Sequence, residues 1–249
     1  MPSEKMEMDS LCKIVGMLAK NEDWKEARMP CDYMVFDLET LGFEPSNDMI
    51  VQIGFCVVRD CQVVHDLWPE DYKSVILKWP KECFVGKEGA INVHHIDYER
   101  SQKDGIDPRE AFELMTDIVK FGNEEGMMFS GHNLFAFDFG FMKTAMANLQ
   151  FDLHINRSQL IDTAMIVKGM RLGMIPGPDE NIYDYYSRVK RFRAKGVFYN
   201  LDRYCVERFE LRQRYGVEPE NAHDAGYDCY LTHLVVECLN KMIDGEWNG

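Results

Sequence analysis

Asp37 and Glu39 close an apolar run, Tyr33-Met34-Val35-Phe36-Asp37-Leu38-Glu39-Thr40. Tyr33 to Phe36 are mostly β-formers, so the run predicts a buried strand. Side chains alternate across a strand, which puts both carboxylates on one face and Leu38 on the other. Two anions held that close repel unless a cation or a proton sits between them. Beside the Thr40-Leu41-Gly42 turn, hard oxygen ligands of this kind suit magnesium or manganese. Two solvated acids at a polar strand end look the same in isolation, so the pair needs support from elsewhere in the chain.

Two later stretches supply it. In Ser130-Gly131-His132-Asn133-Leu134-Phe135-Ala136-Phe137-Asp138, a buried strand leads into a helix with Asp138 in its first turn. Complementing the helix dipole is a common use of aspartate there. In His223-Asp224-Ala225-Gly226-Tyr227-Asp228, His223 and Asp228 are five apart. On one continuous helix they would lie about 140° apart. They converge only if His223 precedes the helix, Asp224 caps it and Asp228 sits in its first turns.

The elements that must position these residues follow from pattern. Leu11, Ile14, Val15 and Leu18 predict an amphipathic helix in a mixed-charge leader, residues 1–30. Strands are expected at 50–59 and 62–67, joined by short links that favour an antiparallel meander. Residues 68–89 read as irregular, with an edge strand near 74–78. Asp107-Pro108-Arg109-Glu110 starts a helix with a cap, a proline at its first position and a capping box. That helix should stop at Gly122. A strand at 127–131, a helix at 137–149, a strand at 159–161 and a helix capped by Asp162 follow. Gly173, Pro176, Gly177 and Pro178 make 169–200 read as a long loop or insertion. Helices at 201–215 and 224–242 close the chain. The order is that of a layered α/β domain, residues 31–249.

Composition narrows the class. The chain has 249 residues, 46% hydrophobic, enough for one large domain with a proper core. The net charge is −14, which argues against a generally basic nucleic-acid binder. A carboxylate site nevertheless presents its metal ions, not its carboxylates, to a phosphate. No apolar run reaches membrane-spanning length, so no membrane association is expected. The first residues carry Glu4, Glu7 and Asp9 and no basic-then-apolar pattern. A secreted protein is therefore not expected, and a cytoplasmic or nuclear one is. Eight cysteines without a CxxC read as reduced thiols. Cys83, His94 and His95 do not have structural-zinc spacing.

Together, Asp37-x-Glu39, His132-Asn133-x-x-x-Phe137-Asp138 and His223-x-x-x-x-Asp228 resemble the three motifs of the DEDDh branch of the DnaQ-like 3′→5′ exonucleases. Asn92-Val93-His94-His95-Ile96 resembles that family's Val-His-Gly-Ile loop, with His95 where the family has glycine. Ile161-Asp162-Thr163 and Asn200-Leu201-Asp202 resemble two further segments. The resemblance covers roughly residues 33 to 240. It implies an RNase H-like mixed β-sheet, an antiparallel meander plus parallel strands, flanked by helices.

It also implies a mechanism. Asp37, Glu39, Asp138 and Asp228 would hold two magnesium or manganese ions roughly 4 Å apart, with Asp37 bridging. His223 would take the proton from the attacking water, a role open to a neutral imidazole at physiological pH. The activity would be hydrolysis of single-stranded DNA or RNA from its 3′ end to nucleoside 5′-monophosphates. The resemblance places Thr40, Leu41, Asn133 and Phe137 against the terminal nucleotide, Leu41 as a wedge. A non-catalytic nucleic-acid-binding or polymerase-accessory module on the same fold is the alternative. A homodimer and a polymerase partner are both open. In 169–200, Tyr183, Tyr185, Tyr186, Phe192 and Tyr199 interleave with Arg188, Lys190, Arg191, Arg193 and Lys195. That composition suits single-stranded nucleic acid, and it also suits a solvated loop packed on the domain.

Overall fold

The computed structural model describes residues 2–20, 23–24, 26–64, 73–151, 154–218 and 222–247. Its centre is a mixed sheet built on β1, Tyr33–Thr40. β2, Ile50–Arg59, runs antiparallel to β1 and is buried along nearly its whole length. β3, Gln62–Val63, and β4, Lys73–Ile76, both pair antiparallel with β2. On the other side of β1, β5, Met128–Gly131, and β6, Leu160–Asp162, add in parallel. The expected antiparallel meander plus parallel strands is therefore the observed sheet. The expected third strand is shorter than read, and its residues 65–67 lie outside the described residues.

Helices cover the sheet. α1, Glu4–Ala19, buries Leu11, Ile14, Val15 and Leu18 in the main core. α2, Glu88–His94, and α3, Tyr98–Asp104, fill a stretch to which the sequence pattern assigns no element beyond the irregular 68–89. α4, Pro108–Glu124, begins at the Asp107 cap, whose side chain accepts from Arg109 N–H. α5, Asp138–Asn148, follows β5, and α6, Thr163–Leu172, follows β6.

The 169–200 segment is not a structureless loop. It holds α7, Ile182–Arg191, capped by Asn181, with Ile182, Tyr185, Tyr186 and Val189 buried. The expected helix over 201–215 is broken. A π-turn at Leu201–Cys205 runs into α8, Val206–Arg208, and Glu210 at φ +50° separates it from α9, Leu211–Tyr215. α10, Ala225–Ile243, is the last helix and is buried over most of its length.

One cysteine expectation is corrected: Cys31 and Cys61 form a disulfide. The register pairing Tyr33 with Val58 brings the start of β1 beside the β2–β3 turn, where Cys61 N–H donates to Cys31 O at 3.0 Å. The other six cysteines lie outside any disulfide. Among the described residues no helix is long and apolar enough to cross a membrane.

Candidate active site

In β1, Asp37 lies opposite Gly54 of β2, and Glu39 opposite Gln52. A Cβ on Gly54 would sit 2.1 Å from the carbonyl carbon and oxygen of Ala225. Only glycine there lets the start of α10 lie directly on the sheet beside Asp37.

Asp224 caps α10, its Oδ1 accepting from Gly226 and Tyr227 N–H at 3.1 and 3.2 Å. Gln52 secures the same turn from the sheet. Its Nε2 donates to Asp224 Oδ2 at 2.7 Å, and its Oε1 accepts from Ala225 N–H at 3.1 Å. His223 stands before the cap at φ +70°, and its N–H donates to Asp228 Oδ2 at 3.2 Å. The five-residue spacing closes in this way, with histidine on the loop and aspartate in the first turn. Ligand atoms of Glu39, His223 and Asp228 all lie within 4.8 Å of one another.

Asp138 arrives from the other side, buried at the start of α5. Asp162 shapes the loop that delivers it. Its carboxylate accepts from Asn133, Phe135 and Met165 N–H at 3.1, 2.8 and 3.0 Å. Asn133 takes the left-handed conformation, φ +76°, which asparagine tolerates better than most residues. His132 is structural: its ring nitrogens reach Thr163 Oγ1 at 2.9 Å and Tyr199 O at 2.7 Å.

The four carboxyls crowd one another in a desolvated place. Burial, then repulsion by Asp228, Asp138, Glu39 and Asp224, pushes Asp37 well above the usual carboxylate range. Burial, with Asp228 and Asp138 adding to it, pushes Glu39 up to about 9. Burial raises Asp138 and Asp228 to about 7 each. Asp228 Oδ1 is buried with no hydrogen-bond partner. A cluster that disfavours its own charge and leaves a carboxylate oxygen unpartnered suits a divalent cation. Carboxylate oxygen donors fit magnesium or manganese. Cys83, His94 and His95 form no such group among the described residues.

A cavity of about 740 Å³ opens beside this cluster, lined by Glu39, Thr40, Leu41, Phe43, His94 and Phe137 among others. Thr40 Oγ1 donates to Gly42 O at 2.7 Å and braces the turn. Leu41 is only 1% exposed, packed with Val51, Phe84 and Ile96. Phe43, two residues on, is 84% exposed, with its ring 6.3 Å from that of Phe137. Asn133 does not line the cavity. His95 adopts φ +58°, the left-handed conformation that a glycine would take without strain.

Sequence reasoning missed Gln52, a buried amide in an apolar strand, and gave Asp162 only a capping role. In α7, Tyr185 and Tyr186 are buried rather than open to bases, and Arg188 pairs with Glu180 at 2.6 Å.

No family model and no curated protein sequence matches the chain. Solved structures do. One is the zinc-bound complex of E. coli ExoI with single-stranded DNA, at 17% identity and a TM-score of 0.61, over 86% of this chain and 41% of that one. Another is E. coli exonuclease I with a dA16 oligonucleotide, at 18% identity and 0.61, over 87% and 42%. A third is the moderately thermophilic exonuclease I from Methylocaldum szegediense, at 17% and 0.56, over 86% and 41%. The chain thus spans about two fifths of the length of these structures, and it shares their fold.

Proposed function

We propose that this protein is a divalent-metal-dependent 3′→5′ exonuclease that hydrolyses single-stranded nucleic acid to nucleoside 5′-monophosphates. The observation that carries the reading is the convergence of Asp37, Glu39, Asp138, Asp228 and His223 from three separate parts of the chain. The fold shared with exonuclease I structures, among them complexes with single-stranded DNA and with a dA16 oligonucleotide, is consistent with it. The domain is taken as residues 31–249, with α1 of the leader docked on it.

Asp37, Glu39, Asp138 and Asp228 would hold two magnesium or manganese ions. Such ions supply a water of lowered pKa and neutralise charge developing on the leaving 3′ oxygen. His223 accepts the proton from that water at a ring nitrogen. Its backbone bond to Asp228 keeps the imidazole at the carboxylate cluster rather than free in the loop. The 740 Å³ cavity takes the terminal nucleotide, with Thr40 and Phe137 against sugar and base; Leu41, buried with Val51, Phe84 and Ile96, backs that wall rather than wedging a base. Asn133 acts behind it, through the loop it starts.

End-labelled DNA and RNA oligomers, with and without magnesium, test the reading with wild type and Asp37→Ala. Shortening from the 3′ end, metal-dependent and abolished in Asp37→Ala, is the expected result. Binding without hydrolysis by wild type would favour the accessory-module alternative.

A further inference from the structure

We infer that the cleft between α7 and the loop bearing Asp138 is a second subsite, taking phosphates and a base of the strand on the 5′ side of the terminal nucleotide. This rests on the exonuclease reading above. The cleft holds about 620 Å³. Phe135, Phe139 and Tyr183 contribute rings to its wall, and Lys190, Arg191 and Arg193 contribute cations. Among the described residues no acidic side chain lines it, in a chain whose net charge is −14. A local cationic patch on an acidic protein is a selective complement for phosphate.

Its position ties it to the candidate active site. Phe135, Phe137 and Phe139 alternate around Asp138. Phe137 faces the cavity beside Glu39, whereas Phe135 and Phe139 face α7. One wall, residues 134–139, therefore separates the two hollows. Lys190 is tied to that wall, Nζ donating to Ala136 O at 3.2 Å and lying 5.9 Å from the Phe135 ring. Phe135 stands edge-on to Tyr183 at 5.0 Å. A strand whose 3′ nucleotide fills the first hollow reaches the second by crossing the wall, and only its 5′ portion is left to do so. Rings that accept bases beside cations that accept phosphates are the general recipe for single strands of either sugar.

The variant Arg191→Glu/Arg193→Glu alters two exposed side chains outside the carboxylate cluster. Lys195→Glu, also exposed but not lining the cleft, controls for charge in general. Fluorescence anisotropy with labelled oligothymidylate and oligouridylate in EDTA reads binding without hydrolysis. The double variant should bind about tenfold more weakly, with its log–log salt slope shallower by about 1.4, two contacts at about 0.7 each. Lys195→Glu should change the slope by less than half as much. Hydrolysis of the p-nitrophenyl ester of thymidine 5′-monophosphate, which has no 5′ chain, should stay within about twofold of wild type. An unchanged affinity and slope on both oligonucleotides, or an equal effect from Lys195→Glu, would overturn the subsite. Failure of wild type to hydrolyse either the ester or an oligonucleotide strikes the exonuclease reading instead, and the anisotropy result separates the two.

Discussion

Gln52 and Asp224 are 172 residues apart in sequence and 2.7 Å apart in space, amide to carboxylate. The bond joins the strand beside Glu39 to the turn that carries His223, so the carboxylate-bearing face of the sheet and the candidate base are held by one clamp. Gln52→Leu fills similar space but leaves Asp224 and the Ala225 N–H without their partner. The expected cost is about 1–3 kcal/mol of stability. A larger effect is expected on turnover, since a displacement of about 1 Å can cost about 10²-fold. Steady-state kinetics should show kcat falling with KM little changed. An unchanged kcat would mean that the clamp does not position the site.

Gly54→Ala tests how closely α10 must approach. Its Cβ would meet the Ala225 backbone, which cannot swing aside as a flexible side chain can. Urea unfolding should show a loss of about 1–3 kcal/mol, and activity should fall with it. Gly177→Ala, where a Cβ would come no nearer than 3.6 Å to Glu180 Cβ and which lies outside the candidate site, should leave both intact. Equal behaviour of the two variants would contradict the packing argument.

His223→Ala removes the candidate base and no carboxylate. The rate on a single-stranded oligonucleotide should drop by about 10²–10⁴-fold. Manganese affinity measured by calorimetry should stay close to wild type. Undiminished hydrolysis would remove His223 from the chemistry.

Metal removal should make stability depend on pH in a definite sense. Glu39 is raised to about 9, and Asp138 and Asp228 to about 7, chiefly by burial. Folding without metal therefore favours the protonated forms, and the unfolded chain releases those protons at about pH 4 and above. Stability from this source is whole below the unfolded values and is lost as pH rises through about 7 and then about 9. In EDTA, Tm should fall between about pH 5 and pH 9, and magnesium should raise Tm more at the upper end. A flat Tm, insensitive to magnesium, would mean that these acids are not packed as described.

Much of this was legible in the sequence because it is local. Strand alternation put Asp37 and Glu39 on one face, and the Asp224 cap let His223 and Asp228 meet, as observed. Gln52 was not legible, since its partner comes from the far end of the chain. The Cys31–Cys61 bond was hidden for the same reason, being set by strand register rather than spacing. α7 was missed although Ile182, Tyr185, Tyr186 and Val189 have helical spacing. Glycine and proline on its N-terminal side and its aromatic content drew attention to binding, and two of those tyrosines proved to be core. The break at Glu210 splits what sequence periodicity read as one helix over 201–215.

The most direct test is a crystal soaked in manganese and located by anomalous scattering. Two peaks among Asp37, Glu39, Asp138 and Asp228, with the His223 ring turned toward them, are predicted. Peaks elsewhere, or a His223 ring pointing away from any metal, would contradict the assignment of this site.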